Sequence, residues 1–150
     1  MFKTHLAFSF LLALFLFKYF SLNFYLFLII FTLAGILPDI DHSKSWIGRK
    51  VKLLSWLINF VFGHRKLIHS MFFAIFLAII IKLFFNDYYI PFFLGYLSHL
   101  FLDALTKQGV RVFYPFKFKT SWIIRTNSMV EKLLLIIVII LIVYRLIYIF

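Results

Sequence analysis

Cysteine is absent from this chain of 150 residues, and acid is scarce: five Asp and Glu stand against sixteen Lys and Arg. Without cysteine there is no disulfide, no thiolate metal ligand and no cysteine nucleophile. Any metal must then be held by His, Asp, Glu or backbone oxygen, although the absence says nothing about compartment. Repeats, low-complexity linkers and a second compositional block are also missing, so residues 1–150 read as one domain. A small-residue cleavage site is lacking too. The apolar run after Lys3 continues through Phe20, Leu22 and Phe24, as expected of a retained helix rather than a removed signal peptide.

What the chain has is apolar surface. Hydrophobic residues make up 65% and aromatics 23%, with a mean hydropathy of +1.04. A soluble domain of this size runs nearer half apolar and cannot hide that much surface in one core. A bilayer can. The 23 Phe carry no functional weight, because genomic base composition alone can raise them. The net charge of +11 fits loops lying beside anionic lipid headgroups better than it fits nucleic acid.

Charges and turn residues divide the chain into apolar segments: Leu6–Phe17, Phe24–Leu37, Leu67–Phe85, Tyr88–Leu105 and Leu133–Phe150. At about 1.5 Å per residue, the third and last can cross a hydrocarbon core of roughly 30 Å. The first two are short, and form either a tight hairpin or one long helix. Between segments, Ile47–Phe62 sets Leu53, Leu54, Trp56 and Leu57 against Arg49, Lys50 and Lys52, with Trp46 just before it. That pattern predicts a helix lying in the membrane interface. The expected fold is all-α: a polytopic membrane helical bundle of about five hydrophobic helices plus one interfacial amphipathic helix. Lys and Arg concentrate in Asp39–Lys66 and Lys107–Lys132, which places the N-terminus and both long loops in the cytoplasm of a multi-pass membrane protein if the first two segments are separate spans.

The few ionisable residues are placed unevenly. Asp39, Asp41 and His42 lie where segment two ends, and His64 and His69 where segment three begins. His99 and Asp103 occupy the last turns of segment four, Glu131 begins segment five, and His5 begins segment one. In a five-span topology all nine share one face. His99 and Asp103, four residues apart, project from one helix side. Burying such a pair is costly unless it is paired, hydrated or metal-bound. His99 reads as a ligand, and Asp103 as a ligand or as the group that fixes the imidazole. Asp39-Ile-Asp41 after Pro38 fits capping as well as ligation. Glu131, three residues after Ser128, fits a capping box as well as a ligand. An N-terminal histidine such as His5 is often incidental. Jointly, hard oxygen and imidazole donors without thiolate suit zinc, manganese or iron. Two or three such ions could activate water and clamp a phosphoryl oxygen, with Asp39 or Asp41 bridging ions or orienting the water. Arg65 and Lys66 could neutralise the phosphate.

Three ordered blocks carry a resemblance: Leu37-Pro-Asp-Ile-Asp-His-Ser-Lys-Ser45, Gly63-His-Arg-Lys-Leu-Ile-His-Ser70, and Gly95-Tyr-Leu-Ser-His-Leu-Phe-Leu-Asp103-Ala-Leu-Thr-Lys-Gln-Gly109. They resemble the YdjM-type family of inner-membrane metal-dependent hydrolases, also labelled LexA-binding. More distantly, the pattern resembles zinc-dependent phospholipase C and P1-type nucleases. The resemblance implies a membrane-bound hydrolase with His5, Asp39, His64, His69, His99, Asp103 and Glu131 as metal ligands. Thr126-Asn127-Ser128 departs from the glycine-containing stretch usual before the late Glu.

The expectation is therefore a metal-dependent hydrolase acting on a phosphoester, lipid or lipid-linked, at the cytoplasmic face of the membrane. Its partners would be the bilayer, a phospholipid or lipid-linked substrate and, by the family label, a LexA-like regulator. The rival is a non-catalytic membrane interaction or stress-regulatory protein with a structural His/Asp site. A transporter fits less well, because its ionisable groups belong near the midplane rather than at one face.

Overall fold

The computed structural model describes residues 1–41, 45–62 and 66–149. Seven α-helices follow in order among them: α1 (Phe2–Leu16), α2 (Phe24–Ala34), α3 (Trp46–Lys50), α4 (Lys52–Phe62), α5 (Met71–Phe85), α6 (Tyr89–Ala104) and α7 (Met129–Ile147). The described residues contain no strand; two isolated bridges, Thr106–Ile124 and Val110–Thr120, tie the loop after α6. The all-helical expectation holds.

The chain turns back between α1 and α2. A short 3₁₀ turn at Phe17–Tyr19 ends the first helix, and Asn23 starts the second by accepting from the Leu26 amide at 3.1 Å. The pair packs as a hairpin around Ala13, Leu14, Phe27 and Phe31. His5 and Asp39 are thereby brought to the same end of the bundle, which one continuous helix would have kept apart.

Pro38 cannot supply the amide that would continue α2, and a 3₁₀ turn follows at Leu37–Asp41. Ser70 caps α5. Asn86, at φ 22°, reverses the chain into α6, a positive φ that Asn tolerates better than most residues. A second apolar cluster, Ala74, Tyr96, Leu100 and Val110, joins α5, α6 and the following loop. α1 and α6 form the centre: α1 contacts α2, α6 and α7, while α6 contacts α1, α2 and α5.

Two close approaches set the helix spacing. A side chain at Gly95 would strike the Phe31 backbone carbonyl, and one at Gly35 would strike the Ser9 side chain. The Ser9 and Ser98 hydroxyls share a buried hydrogen bond of 2.7 Å between α1 and α6.

Outward faces stay apolar. α5 exposes Phe72, Phe76, Ile79 and Leu83, and α7 exposes Leu133, Ile136, Ile140 and Ile147. Continuous apolar faces of this kind are covered by lipid or a partner rather than by water. Two helical stretches, Phe2–Tyr19 and Met71–Ala104, are long and apolar enough to cross a membrane; Phe24–Ala34 is apolar but shorter. The second stretch is the α5–α6 hairpin, broken at Asn86. α7 is just as apolar along its middle but carries three charged residues, Glu131, Lys132 and Arg145. Among the described residues there are thus five apolar helices, of which two stretches are long and apolar enough to cross a membrane.

The stretch expected as one interfacial helix, Ile47–Phe62, folds as α3 and α4 with a break at Val51. α4 exposes Leu53, Trp56, Leu57 and Phe60 on one side and buries Ser55 on the other. Trp56 and Phe60 stack, their centroids 5.5 Å apart. The helix packs against the Leu37–Asp41 turn.

Candidate metal centre

Four elements meet where α6 ends. α1 contributes His5 from its first turns. The turn after α2 contributes Asp39 and Asp41, the turn before α5 contributes His69, and α6 contributes His99 and Asp103 one helical turn apart. His5, Asp41, His69, His99 and Asp103 are each at most 1% exposed. Asp39 differs: its side chain is 17% exposed, which marks the open side of the cluster.

The backbone around each group is held. Ser45 Oγ donates to the Asp39 carbonyl at 2.7 Å and accepts from the Gly48 amide at 2.9 Å, so one hydroxyl fixes the acidic turn to the start of α3. Tyr96 donates its hydroxyl to the Ile68 carbonyl at 2.5 Å. Ser70 donates to the Leu67 carbonyl at 2.6 Å while capping the Phe73 amide. His69 thus sits between two anchored residues.

Asp103 is the hub. Its Oδ1 lies 3.4 Å from His5 Nε2, and its Oδ2 lies 3.3 Å from His69 Nε2 and 3.7 Å from His99 Nε2. The two Nε2 atoms of His69 and His99 are 3.3 Å apart. His99 Nε2 also faces Asp39 Oδ1 at 4.0 Å. On its other side, His99 Nδ1 is 2.9 Å from the Gly35 carbonyl. A carbonyl can only accept, so Nδ1 carries the proton and neutral His99 turns a bare Nε2 lone pair toward Asp103 and His69. His69 Nδ1 lies 3.4 Å from Asp41 Oδ2, so this imidazole faces a carboxylate on each side. His5 stacks on His99 at 4.0 Å. Its buried Nδ1 has no hydrogen-bond partner among the described residues.

These residues form two groups able to hold a metal ion: His5, His99 and Asp103, and Asp39, His69 and His99. His99 belongs to both. Burial pushes the Asp39 carboxyl above its ordinary range. The neighbouring His5 and His69 oppose that rise, and the Asp103 charge adds to it.

Glu131 stands apart from both groups. Its Oε1 accepts from Thr4 Oγ1 at 2.8 Å and faces the amino-terminal nitrogen at 3.3 Å. Its Oε2 accepts from the Asn127 amide at 2.5 Å, and its own amide donates to Ser128 Oγ at 3.4 Å. Three neighbours therefore engage its carboxylate, one residue removed from His5 through Thr4. Lys66 is exposed in the turn before α5. His42, His64 and Arg65, also singled out from sequence, lie outside the described residues.

The Gly35 carbonyl and the Tyr96 hydroxyl were not anticipated as partners. A backbone oxygen has no side-chain signature. Tyr96, three residues before His99, reads simply as an apolar helix position.

A family model of YdjM inner membrane proteins matches residues 1–150. The uncharacterized protein YvsG of Bacillus subtilis (strain 168) is 35% identical over 106 residues, covering 68% of this chain and 66% of its own length. The inner membrane protein YdjM of Escherichia coli (strain K12) is 38% identical over 95 residues, covering 58% of this chain and 48% of its own length. Inner membrane protein YdjM of Shigella flexneri matches to the same extent. The chain thus spans about half to two thirds of the length of these curated relatives. No solved structure matches. With a family match over its full length, this membrane protein belongs to the YdjM inner membrane protein family.

Proposed function

We propose that this chain is a membrane-bound, metal-dependent hydrolase acting on the phosphoester of a lipid or lipid-linked substrate at the cytoplasmic face. One observation carries the reading: the triangle formed by His69 Nε2, His99 Nε2 and Asp103 Oδ2, with edges of 3.3, 3.3 and 3.7 Å. Tetrahedral zinc with bonds of about 2.0–2.1 Å sets its ligand atoms about 3.3 Å apart. Three electron-rich atoms converging in a buried place also need a cation or a proton between them. His5, whose Nε2 faces Asp103 Oδ1 at 3.4 Å, adds a further donor. The donor set fits zinc, with manganese or iron as alternatives.

Such an ion supplies Lewis acidity, making a water nucleophilic near neutral pH and drawing charge from a phosphoryl oxygen. The chain's own residues do the rest. Gly35 fixes the His99 tautomer, and Asp41 orients His69, so both are positioning groups. Asp39, on the open side, orients the attacking water and takes its proton. Glu131 ties Thr4 and the amino-terminus to α7 and so presents His5. Arg65 and Lys66, consecutive charges before α5, would meet the phosphate. His42 and His64 remain ligand candidates by sequence position alone. The five apolar helices are assigned as spans with the N-terminus inside, from the Lys/Arg distribution. α4 then lies at headgroup depth, where a lipid substrate would be met.

The test is metal analysis of the detergent-purified full chain alongside His99→Ala and Asp103→Ala. Near-stoichiometric zinc that both variants lose, with hydrolysis of phosphatidate lost in parallel, is the expected result. Failure to take up zinc, manganese or iron after add-back to folded protein would overturn the reading and favour a non-catalytic interaction role.

A further inference from the structure

A cavity of about 300 Å³ opens between α2, α5 and α6. Ile30, Leu33 and Leu37 line one wall, and Ile81, Phe85 and Phe92 the other. Every lining side chain is apolar except that of Tyr88, beside the α5–α6 turn. The volume lies at the small end of the range for ligand pockets, and nothing in the lining would solvate a headgroup. Its upper end adjoins the metal centre through the chain itself. Leu37 belongs to the same short turn as Asp39, the one partly exposed member of the cluster. Ala34, also on the lining, precedes Gly35, whose carbonyl accepts from His99.

Resting on the hydrolase reading above, we infer that this cavity receives a hydrocarbon chain of the substrate, a lipid phosphate whose head reaches the His/Asp cluster. A polar head at Asp39 and an apolar tail starting at Leu37 divide one amphiphile between two adjoining places of matching polarity. The substrate class is then a long-chain lipid phosphate rather than a soluble phosphoester.

The test uses the full chain in nanodiscs and a phosphatidic acid carrying a diazirine midway along one acyl chain. Irradiation is followed by peptide mapping, with the matching diazirine diacylglycerol as the control that lacks phosphate. Labelling should concentrate on residues 30–37 and 81–92 rather than on the outward face of α7, and should need the phosphate. Ile81→Trp, which fills the cavity, should weaken it about tenfold, as loss of roughly two buried methylenes implies. Ile30→Phe serves as a second, milder filling should the first fail to fold. Labelling spread evenly over α7 and indifferent to both substitutions would overturn the proposal, leaving only bulk lipid. Equal labelling by the diacylglycerol would overturn it for the headgroup. Metal content is read in the same samples. Groove labelling intact in a chain that takes up no metal would strike the hydrolase reading alone and leave the lipid-chain site standing.

Discussion

Replacing Gly35 by alanine places a methyl group onto the Ser9 side chain, overlapping both its Oγ and its Cβ, which an added Cβ would meet at 2.5 Å. The backbone permits the change, since Gly35 is right-handed at φ −70°, and on backbone entropy alone Gly→Ala would stabilise by about 0.4–1 kcal/mol. Steric overlap opposes this, and overpacking of a tight interior costs about 1–3 kcal/mol. The overlap wins, because Ser9 is fully buried on a helix and cannot swing away. The net loss expected is about 1–2 kcal/mol, a fall of about 2–4 °C in unfolding temperature per kcal/mol for a chain this size.

The partner substitution makes the argument specific. Ser9→Gly removes both atoms that the new methyl would strike. It forfeits one hydrogen bond, and Ser98 keeps its own donation to the Gly95 carbonyl at 2.6 Å. In the Ser9→Gly background, Gly35→Ala should therefore cost little. A contact of 3.2 Å to the Gly95 carbonyl persists and makes the rescue incomplete. The assay is a double-mutant cycle on thermal unfolding in detergent, with metal content measured on all four proteins. Because Gly35 holds His99, the single variant should also bind metal about 10–100-fold more weakly, and the double variant should recover. An equal penalty for Gly35→Ala with and without Ser9 would refute the reasoning. Gly95→Ala is the contrast: its added Cβ meets Phe31 backbone, which no side-chain trimming relieves.

Glu131→Gln removes a charge that faces the amino-terminus and accepts from Thr4 and Asn127. It should lower stability by about 1.5–3 kcal/mol while leaving metal content near that of the unsubstituted chain; loss of metal equal to that in Asp103→Ala would make Glu131 a ligand instead. At the membrane surface, Trp56 in a Trp46→Phe, Trp122→Phe background should be quenched more by lipids brominated near the headgroup than by lipids brominated at the chain terminus. The opposite order would remove α4 from the interface.

Much of the clustering at the candidate site was written into the spacing of ionisable residues. Asp39, Asp41, His69, His99 and Asp103 stood out because charges and imidazoles at the ends of apolar segments are costly and therefore informative. Their positions along the chain also anticipated a common end of the bundle. Glu131 was ambiguous for a sound reason: a capping box and a ligand need the same residue at the same place, and only its neighbours distinguish them. His5 was ambiguous because the first two apolar segments read equally as a hairpin or as one helix.

By itself the amino-acid sequence determined the all-helical class, the preference for lipid over water and the exclusion of thiolate donors. All three follow from composition and from local helical period, which need no knowledge of how helices cross. Tertiary structure decided the rest. Helical spacing puts His99 and Asp103 on one face, but leaves open which way that face is turned and what meets it. Close contact at Gly35 and Gly95 set that rotation, bringing a backbone carbonyl to His99 and closing α1 onto α6 so that His5 stacks there. Such contacts join residues far apart in the chain, 64 positions in the case of Gly35 and His99, and depend on shape rather than on any pattern along the chain.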